Sequence, residues 1–469
     1  MSTGYADIVI GLQYGDEGKA RVVDMLAKEY DIIARFNGGA NAGHSIETED
    51  GRKLALNQVP SGVFYPEKTL YTGSGCVVDF AQLSQEVAGL EAQGLNVKNR
   101  YRIAAQASVV QPHHFLIDGA TGKSVGTTKK GIGPCYADRA SRMLGERLTN
   151  IRAGDLLDNP ERMFEAMRAN WAAVAESYGA DAATGEAWIT RIREGFEALK
   201  ECIERDPLFL EKKARNGARI LFEGAQSVLL DVTKGYVPYV TSSNTVAAAA
   251  FTGGDLPPRY HRKTLGIAKA VMSRVGHGPF PSEFGGSRSE AYCMQANPDG
   301  SPTYGRKVEE TYDIDALMKS TDGFEMGKAM RVLSREYGTV STRPRRIGSL
   351  DLAALEYAIR MNGVDELFIT KCDLLREYTR TLSGKMPVTV GYSLDGNPID
   401  YVPATTEQYS KVSPIIQEWD IAGDELTEVR QVADLPESVQ AFLKAIEDRC
   451  QTRVMGIGVG PQRNQVVFF

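Results

Sequence analysis

The sequence contains no run of about 18 apolar residues, the length that a membrane-crossing helix needs. It also has no CxxC pair, because its cysteines are few and far apart. Internal repeats, low-complexity tracts and a linker rich in Pro and Gly are missing as well, which argues against repeat and disordered architectures. We expect reduced structural thiols, and neither a disulfide scaffold nor a zinc cluster, at Cys76, Cys135, Cys202, Cys293, Cys372 and Cys450.

An excess of basic charge is missing too. The 469 residues include 54 lysines and arginines and 60 aspartates and glutamates, for a net charge of −6. With no basic tail or stripe, nucleic acid and anionic membranes are excluded as main partners, although a local basic cluster can still attract a small anion. The amino terminus lacks a basic segment followed by a long apolar stretch, so we expect no secretory signal and a cytoplasmic protein.

What the sequence does have is an alternation of short apolar strands and amphipathic helices. A strand at 6–13, a helix at 17–30 and a strand at 32–36 open the chain, and further strands are predicted at 101–106, 219–222, 366–371, 387–391 and 453–458. This alternation predicts an α/β fold with a large, mostly parallel central sheet flanked by helices. Length alone allows about three domains. Because no boundary is visible, we predict one large domain over 1–469, with a helical insertion at 150–210 and a loop insertion at 285–330.

A glycine-containing loop, GDEGK at 15–19, stands between the first strand and the first helix. Backbone N–H groups at a helix start, together with Lys19, favour a phosphate group. The loop is not a Walker A motif, because Gln13 stands at the position of its first glycine and Ala20 replaces the magnesium-binding hydroxyl. Asp16 can supply an oxygen ligand or act as a base, and a tight turn capped by Asp is the structural alternative.

Two further segments also follow predicted strands. The loops that end parallel strands meet at the carboxyl edge of the sheet, so NGGANAGH at 37–44 is expected to bring His44 opposite Asp16. TKCD at 370–373 ends another strand, and Asp373 there can accept hydrogen bonds from the N1–H and 2-amino groups of guanine. A strand-end ion pair is the structural alternative for TKCD.

A loop rich in hydroxyls and arginines, GTVSTRPRR, occupies 338–346. Its planar guanidinium groups suit carboxylates and phosphates, while a solvated charged face or a nucleic-acid patch is the alternative. Polar loops also lie at 126–134, 223–226 and 239–244. So many loops of this kind at strand ends indicate ligand binding rather than packing.

Together these motifs closely resemble those of the adenylosuccinate synthetase family. The resemblance runs in order from residue 8 to about 463 and includes QYGDEGKARVVD, FNGGANAGHSI, GTTKKGIGPCYADRASR, LFEGAQSVLLD, PYVTSSNT, GPFPSEF and ITKCD. It implies a P-loop-like GTP-binding ligase fold and Mg²⁺ as cofactor. It also implies transfer of the γ-phosphate of GTP to the 6-oxygen of IMP, followed by displacement by the amino group of L-aspartate. The product is adenylosuccinate, an intermediate of AMP biosynthesis.

The resemblance also assigns residues. It makes Asp16 the base, His44 the acid, Lys19 and Gln226 further catalytic residues, and Asp16 and the Gly43 carbonyl the metal ligands. For IMP it implies Asp16, Glu17, Gly18, Lys19, Asn41, Ala42, Gly43, His44, Thr128, Arg142, Gln226, Thr241 and Arg343. For GTP it implies Gly15, Asp16, Glu17, Gly18, Lys19, Ala20, Arg21, Gly43, His44, Ser45, Arg345, Lys371, Cys372, Asp373, Gly458, Val459 and Gly460. For aspartate it implies Thr339, Val340, Ser341, Thr342, Arg343 and Arg345. Arg142 matches a residue that reaches the IMP phosphate of a neighbouring subunit, which implies a homodimer.

Some positions depart from the family pattern. Ala20 replaces a glycine, Arg21 a lysine and Val340 a threonine, and GVGP at 458–461 replaces an STGP segment that helps to hold guanine. These changes leave open a paralog that acts on another purine or amino acid, and a GTP-binding regulatory module is a further alternative. Relatives that act on dGMP lack the catalytic aspartate, so the presence of Asp16 favours IMP.

Overall fold

A computed structural model describes residues 3–47, 53–121, 126–338, 342–421 and 423–469. The side chains of His44, Ser45 and Lys53 lie outside this description. The strands are β1 Tyr5–Gly11, β2 Ile32–Arg35, β3 His44–Glu47, β4 Lys53–Leu56, β5 Thr69–Thr72, β6 Val77–Val78, β7 Tyr101–Ala104, β8 Ser108–Val109, β9 Met143–Leu144, β10 Arg147–Leu148, β11 Ile203–Glu204, β12 Arg219–Glu223, β13 His261–Lys269, β14 Met272–Arg274, β15 Arg346–Gly348, β16 Leu350–Asp351, β17 Glu366–Thr370, β18 Lys385–Leu394, β19 Asn397–Ile399, β20 Ser413–Asp420, β21 Arg453–Gly458 and β22 Val466–Phe468.

Helices connect most of these strands. They are α1 Lys19–Ala27, α2 Phe80–Ala92, α3 Pro112–Thr121, α4 Ile132–Ser141, α5 Ala153–Asp158, α6 Pro160–Ala175, α7 Ala182–Leu199, α8 Phe209–Arg215, α9 Ala249–Gly253, α10 Gly286–Met294, α11 Arg306–Glu309, α12 Ile314–Met318, α13 Gly323–Ser334, α14 Leu352–Asn362, α15 Thr406–Tyr409 and α16 Glu437–Cys450. Within the described ranges, no helix is long and apolar enough to cross a membrane.

The central sheet has ten strands in the order β11-β7-β5-β2-β12-β1-β13-β17-β21-β22. Every neighbouring pair is parallel except β21 and β22, which are antiparallel. The mostly parallel α/β sheet predicted from the sequence is therefore confirmed. Parallel strands need long crossovers, and the helices of this chain supply them.

The sheet is buried on both faces. Along β1, Ile8 and Ile10 belong to one apolar cluster, with Leu355 of α14 and Ile446 of α16. Val9 points the other way into a second cluster, which includes α1, α2 and α7. Burial on both faces explains why the central strands read as continuous apolar runs rather than alternating ones.

The structure corrects the predicted order of the first strands. β1 and β2 are not neighbours, because β12 lies between them and pairs with both. The predicted first strand ends at Gly11 rather than at residue 13, and the first helix spans Lys19–Ala27 rather than 17–30. The three central residues of β12, Ile220, Leu221 and Phe222, are apolar and fully buried, as a position in the middle of the sheet requires.

Two segments outside the central sheet also differ from expectation. The predicted strand at 387–391 lies within β18, which belongs to a separate sheet with β16, β19 and β20. The segment at 285–330, expected to be an irregular loop, contains the short helices α10, α11 and α12 and the first part of α13, so that expectation was wrong. Residues 150–210 are mostly helical but also contain β11, the edge strand of the central sheet. That they form an insertion stays a prediction.

Candidate active site

The predicted site segments meet at the carboxyl edge of the central sheet. Adjacent strands there run in the order β2, β12, β1, β13, β17 and β21. Five of the six lead into a segment singled out from the sequence, at 37–44, 224–226, 15–19, 371–373 and 458–460 respectively, with β13 the exception. This edge is where open α/β sheets bind ligands.

The loop at 15–19 has an unusual backbone. Gly15, Asp16 and Gly18 all have positive φ values, of 91°, 56° and 88°. Gly18 immediately precedes α1, so the loop turns sharply into the start of that helix. Glycine adopts a positive φ without penalty, whereas Asp16 adopts it with some backbone strain. Strained backbone of this kind is concentrated at functional sites.

Glu17 braces this loop from inside. It is 1% exposed and accepts hydrogen bonds from the Gly15 N–H at 2.8 Å and from Lys19 Nζ at 2.7 Å. Ser227, beside the predicted IMP residue Gln226, donates its hydroxyl to the same carboxylate. Burial raises the pKa of Glu17, but Lys19 and other donors outweigh it, so the pKa is lowered overall. The Glu17 carboxylate is therefore engaged within the protein and holds the loop in shape.

Asp16 is paired with an arginine of the loop at 338–346. Its Oδ2 lies 2.8 Å from a terminal nitrogen of Arg345, whose other terminal nitrogen lies 2.5 Å from Glu336. The Asp16 side chain is 37% exposed, while that of Glu336 is 1% exposed. The predicted base and a residue predicted to bind GTP and aspartate are therefore in direct contact.

Two lysines complete this charged cluster. Lys371 contacts Glu336 and donates to the Ser334 carbonyl at 3.0 Å. Lys269, the last residue of β13, lies 3.8 Å from Glu336 and donates to the Gly15 carbonyl at 3.2 Å. Burial lowers the pKa of Lys269. Burial acts to raise the pKa of Glu336, but its cations hold that pKa well below its ordinary range.

The loops after β2 and β12 are joined by Asn37. Its Nδ2 donates to the Ala225 carbonyl at 3.1 Å and its Oδ1 accepts from the Ala225 N–H at 2.9 Å. Gln226 follows with a φ of 56°, and its buried Oε1 has no hydrogen-bond partner among the residues that the structure describes. Asn41 accepts from the Gly39 N–H at 3.2 Å. The predicted IMP residues of these two loops thus share one scaffold.

The guanine segment is tied to the phosphate loop. The Thr370 hydroxyl donates to the Glu17 carbonyl at 2.8 Å, and Lys371 has a φ of 62°. Burial raises the pKa of Asp373, which Lys371 and Arg21 oppose. Cys372 is fully buried and its Sγ contacts the Ile369 carbonyl, so its side chain faces away from the sheet edge.

Arg21 fills the space beside the segment at 458–460. It donates to the Gly460 carbonyl and, at 3.4 Å, to the Gln462 carbonyl. A Cβ atom added to Gly458 would overlap the Arg21 guanidinium. The overlapped atom is the far end of a flexible side chain, so a side chain at position 458 would displace the Arg21 guanidinium from these carbonyls. In this arrangement the two departures from the family pattern fit together.

The loop that carries Arg343 is closed at its base. Tyr337 and Pro344 form an antiparallel bridge, and the Thr342 N–H donates to the Gly338 carbonyl at 2.9 Å. Three residues predicted to bind aspartate, Thr339, Val340 and Ser341, lie outside the described residues, as do the side chains of His44 and Ser45.

Three predicted IMP residues lie away from this charged cluster. Thr128 and Arg142 are exposed before and after α4, and Thr241 is partly buried, with its N–H bonded to the Leu230 carbonyl at 2.8 Å. Arg142 leads into the β9–β10 hairpin, on which Met143 and Leu144 are 51% and 49% exposed.

One cluster of metal-binding residue types lies elsewhere in the described part of the chain. His113 and His114 of α3 both place Nε2 near the same oxygen of Asp138, at 2.8 and 3.0 Å. The Gln111 N–H donates to Nδ1 of His114 at 2.9 Å, which leaves the proton of the neutral ring on Nε2. A metal needs that lone pair, so the cluster fits hydrogen bonding between α3 and α4 rather than metal binding.

Sequence reasoning missed Glu336 and Lys269. Lys269 ends a strand that the sequence did not reveal, and Glu336 sits 67 positions later, just before the arginine loop. Neither belongs to a motif with known chemistry, and their proximity depends on the strand order of the sheet. The one available signal was a charged residue two positions before GTVSTR.

The comparisons with known proteins agree with this geometry. A family model described as "Adenylosuccinate synthetase" matches residues 8–467. The chain is 46% identical to "Adenylosuccinate synthetase 2" of Cupriavidus pinatubonensis, over 100% of this chain and 98% of that protein. It is 35% identical to the adenylosuccinate synthetase of Clostridium acetobutylicum, over 98% of each.

Solved structures show the same relationship. The fully ligated adenylosuccinate synthetase of Plasmodium falciparum superposes with a TM-score of 0.82 at 28% identity, over 99% of this chain and 100% of that one. The succinoaminodeoxyadenylate synthetase of cyanophage S-2L shares the fold, with a TM-score of 0.60 at 19% identity over 100% and 96% of the two chains. This chain belongs to the adenylosuccinate synthetase family.

Proposed function

We propose that this protein is a GTP-dependent ligase that joins IMP and L-aspartate to form adenylosuccinate, releasing GDP and phosphate. The observation that carries the proposal is the contact of Asp16 with Arg345 on an edge that also holds the phosphate loop and the segment 370–373. The residues proposed as the base, the phosphate cradle and the guanine-reading carboxylate thus belong to loops at one sheet edge, in a member of this family.

The first step activates the purine. Asp16 takes the N1 proton of IMP, and the 6-oxygen attacks the γ-phosphorus as the bond from that phosphorus to GDP breaks. Lys19 and the backbone N–H groups of 15–19 neutralise the transferring phosphoryl group, and His44 acts as the acid beside it. The product is 6-phosphoryl-IMP, in which a poor leaving group has become a good one.

The second step replaces phosphate with an amine. The amino group of aspartate attacks carbon 6, the carbon–oxygen bond breaks, and phosphate leaves with the transferred oxygen. The proposal assigns Arg343 and Arg345 to the carboxylates of aspartate, because a guanidinium fork matches a carboxylate. Thr339 to Thr342 are proposed to complete this subsite.

Magnesium fits the residues proposed for it. The part-exposed Asp16 carboxylate and the carbonyl of exposed Gly43 are hard oxygen ligands, and a Cβ built on Gly43 meets open space. Mg²⁺ typically takes one or two such groups together with phosphates and water. When bound, it would neutralise charge on the GTP phosphates.

We also propose a cytoplasmic homodimer. All six cysteines lie in the described ranges and are free and buried, which suits a reducing compartment. Exposed Arg142 next to the apolar Met143 and Leu144 supports a subunit contact that would deliver Arg142 to the neighbouring site. Sedimentation analysis tests this: we expect a wild-type dimer and a monomeric Met143→Glu variant, and a wild-type monomer would contradict it.

Product analysis tests the reaction. Protein, GTP and Mg²⁺ are mixed with IMP or dGMP and with aspartate or another amino acid, and the products are identified by mass spectrometry. We expect adenylosuccinate, formed from IMP and aspartate only. GTP hydrolysis that is independent of IMP would indicate a regulatory module, and a product from dGMP would indicate a paralog.

A further inference from the structure

Glu336 is a buried acid that receives cations from three separate parts of the chain. Arg345 comes from the end of the arginine loop, Lys371 follows β17, and Lys269 ends β13. Glu336 itself lies two residues beyond α13 and is 1% exposed. A buried carboxylate is stable only when it is well paired, so the positions of these cations depend on its charge.

Each of these cations also reaches a second group. Arg345 continues to Asp16 at 2.8 Å, Lys269 continues to the Gly15 carbonyl at 3.2 Å, and Lys371 continues to the Ser334 carbonyl at 3.0 Å. Glu336 is therefore linked to the phosphate loop through Lys269 and to the predicted base through Arg345. It contacts the guanine segment directly at Lys371.

We propose that Glu336 is a positioning residue that couples recognition of the guanine base to the placement of Asp16. The inference rests on the proposed function, in which Asp373 reads guanine. Lys371 precedes Asp373 by two positions in a left-handed turn, and its ammonium group is fixed by Glu336 and Ser334. Loss of the Glu336 charge releases this turn. It also removes one of the two carboxylates that hold Arg345.

Glu336→Gln tests the coupling because it keeps the size of the side chain and removes its charge. The assay compares kcat/KM for GTP and for ITP, which lacks the 2-amino group that Asp373 would bind. We expect the preference for GTP over ITP to fall at least about fivefold, because the turn that carries Lys371 is no longer held. We expect kcat to fall as well, because Arg345 loses one of its two anchors. A tenfold change corresponds to only about 1.4 kcal/mol.

Glu211→Gln is the matched control. Glu211 is 3% exposed, pairs with Arg215 and Arg259 at 2.8 Å, and lies near the start of β13, at the opposite edge of the sheet. The Glu211→Gln substitution should lower the melting temperature without changing the preference for GTP over ITP. A purely structural role for Glu336 would give the same pattern in both variants.

The outcomes are distinct. Wild-type preference and kcat in folded Glu336→Gln would overturn the inference while leaving the proposed function intact. If Glu336→Gln does not fold, Glu336→Asp retains the buried charge with a shorter reach, and it should show a reduced preference; an unchanged preference there would overturn the inference. Absence of any adenylosuccinate from wild-type protein would overturn the proposed function and this inference with it.

Discussion

Asp16 combines a φ of 56° with a carboxylate that contacts Arg345 and remains 37% exposed. Exposure leaves the oxygen accessible to a substrate proton, while the contact with Arg345 holds the carboxylate in place. These features suit a base that works beside phosphate.

Asp16→Asn should abolish turnover. The amide has the same shape but cannot take the N1 proton, and a positioned base contributes a factor of about a thousand. We expect kcat to fall by about that factor while GTP binding, measured by calorimetry, changes little. Asp31→Asn, which removes one side of a half-exposed pair with Arg219, is the control and should be nearly neutral. Turnover that survives in Asp16→Asn would show that the base is assigned wrongly.

Gly458→Ser tests the steric match with Arg21. A side chain there would overlap the guanidinium, so we expect GTP to bind about tenfold more weakly, or ~1.4 kcal/mol. Adding Arg21→Lys removes the overlapping nitrogens, and the double variant should recover most of the affinity. Gly89→Ser, where an added Cβ meets nothing within 4 Å, is the neutral control. Strictly additive losses in the double variant would contradict the match.

At the scale of elements, α3 and α4 are joined by the His113, His114 and Asp138 cluster. This contact positions the start and end of α4, from Gly131 to Arg142. The Arg142 N–H bonds to the Asp138 carbonyl at 2.8 Å, so the proposed intersubunit residue follows the geometry of this helix.

Acid should loosen this contact. Burial lowers the pKa of His114 to about 4, against an ordinary 6.5. Below pH 6.5 the His114 side chain is protonated in the unfolded chain, whereas in the folded chain it stays neutral down to about pH 4. The free energy of unfolding therefore decreases as the pH falls through this window, by at most about 3 kcal/mol. Asp138, with its pKa lowered to about 2, loses its own contribution only at lower pH.

Urea unfolding at pH 7 and pH 4.5 measures this loss. His114→Gln should show a smaller difference between the two pH values than wild type, because the glutamine does not titrate. His261→Gln, at an exposed imidazole, should match wild type. An identical pH dependence in His114→Gln and wild type would show that His114 does not carry the effect.

The elements differ in how far the sequence predicts them. The strands at 219–222 and 453–458 were located because their apolar runs are short, complete and bounded by turns. The segment at 285–330 was misassigned because α10, α11 and α12 are only 4 to 9 residues long, too short for helical periodicity to be visible.

At the scale of the whole molecule, the site depends on strand order. The sequence motifs predicted the loops at 15–19, 37–44 and 370–373. They did not predict that β12 lies between β1 and β2, or that β13 brings Lys269 close to these loops. Such contacts join residues far apart in the chain and leave no local pattern. Glu336 was missed for the same reason.

In the proposed reaction, one nucleotide, a phosphate donor and a dicarboxylate meet at a single edge of the sheet. With a net charge of −6, the protein concentrates Lys19, Lys269, Arg345 and Lys371 at that edge. Glu17, Asp16 and Glu336 pair with these four cations, so the edge carries an excess of one positive charge among these residues, which favours anionic substrates.

The path of the 6-oxygen of IMP tests the proposed reaction most directly. Wild-type protein is given GTP, Mg²⁺, aspartate and IMP that carries oxygen-18 at position 6, and the released phosphate is weighed by mass spectrometry. We expect one labelled oxygen in each phosphate released and none in adenylosuccinate, because phosphorylation of that oxygen precedes its departure. Unlabelled phosphate would contradict the proposed reaction.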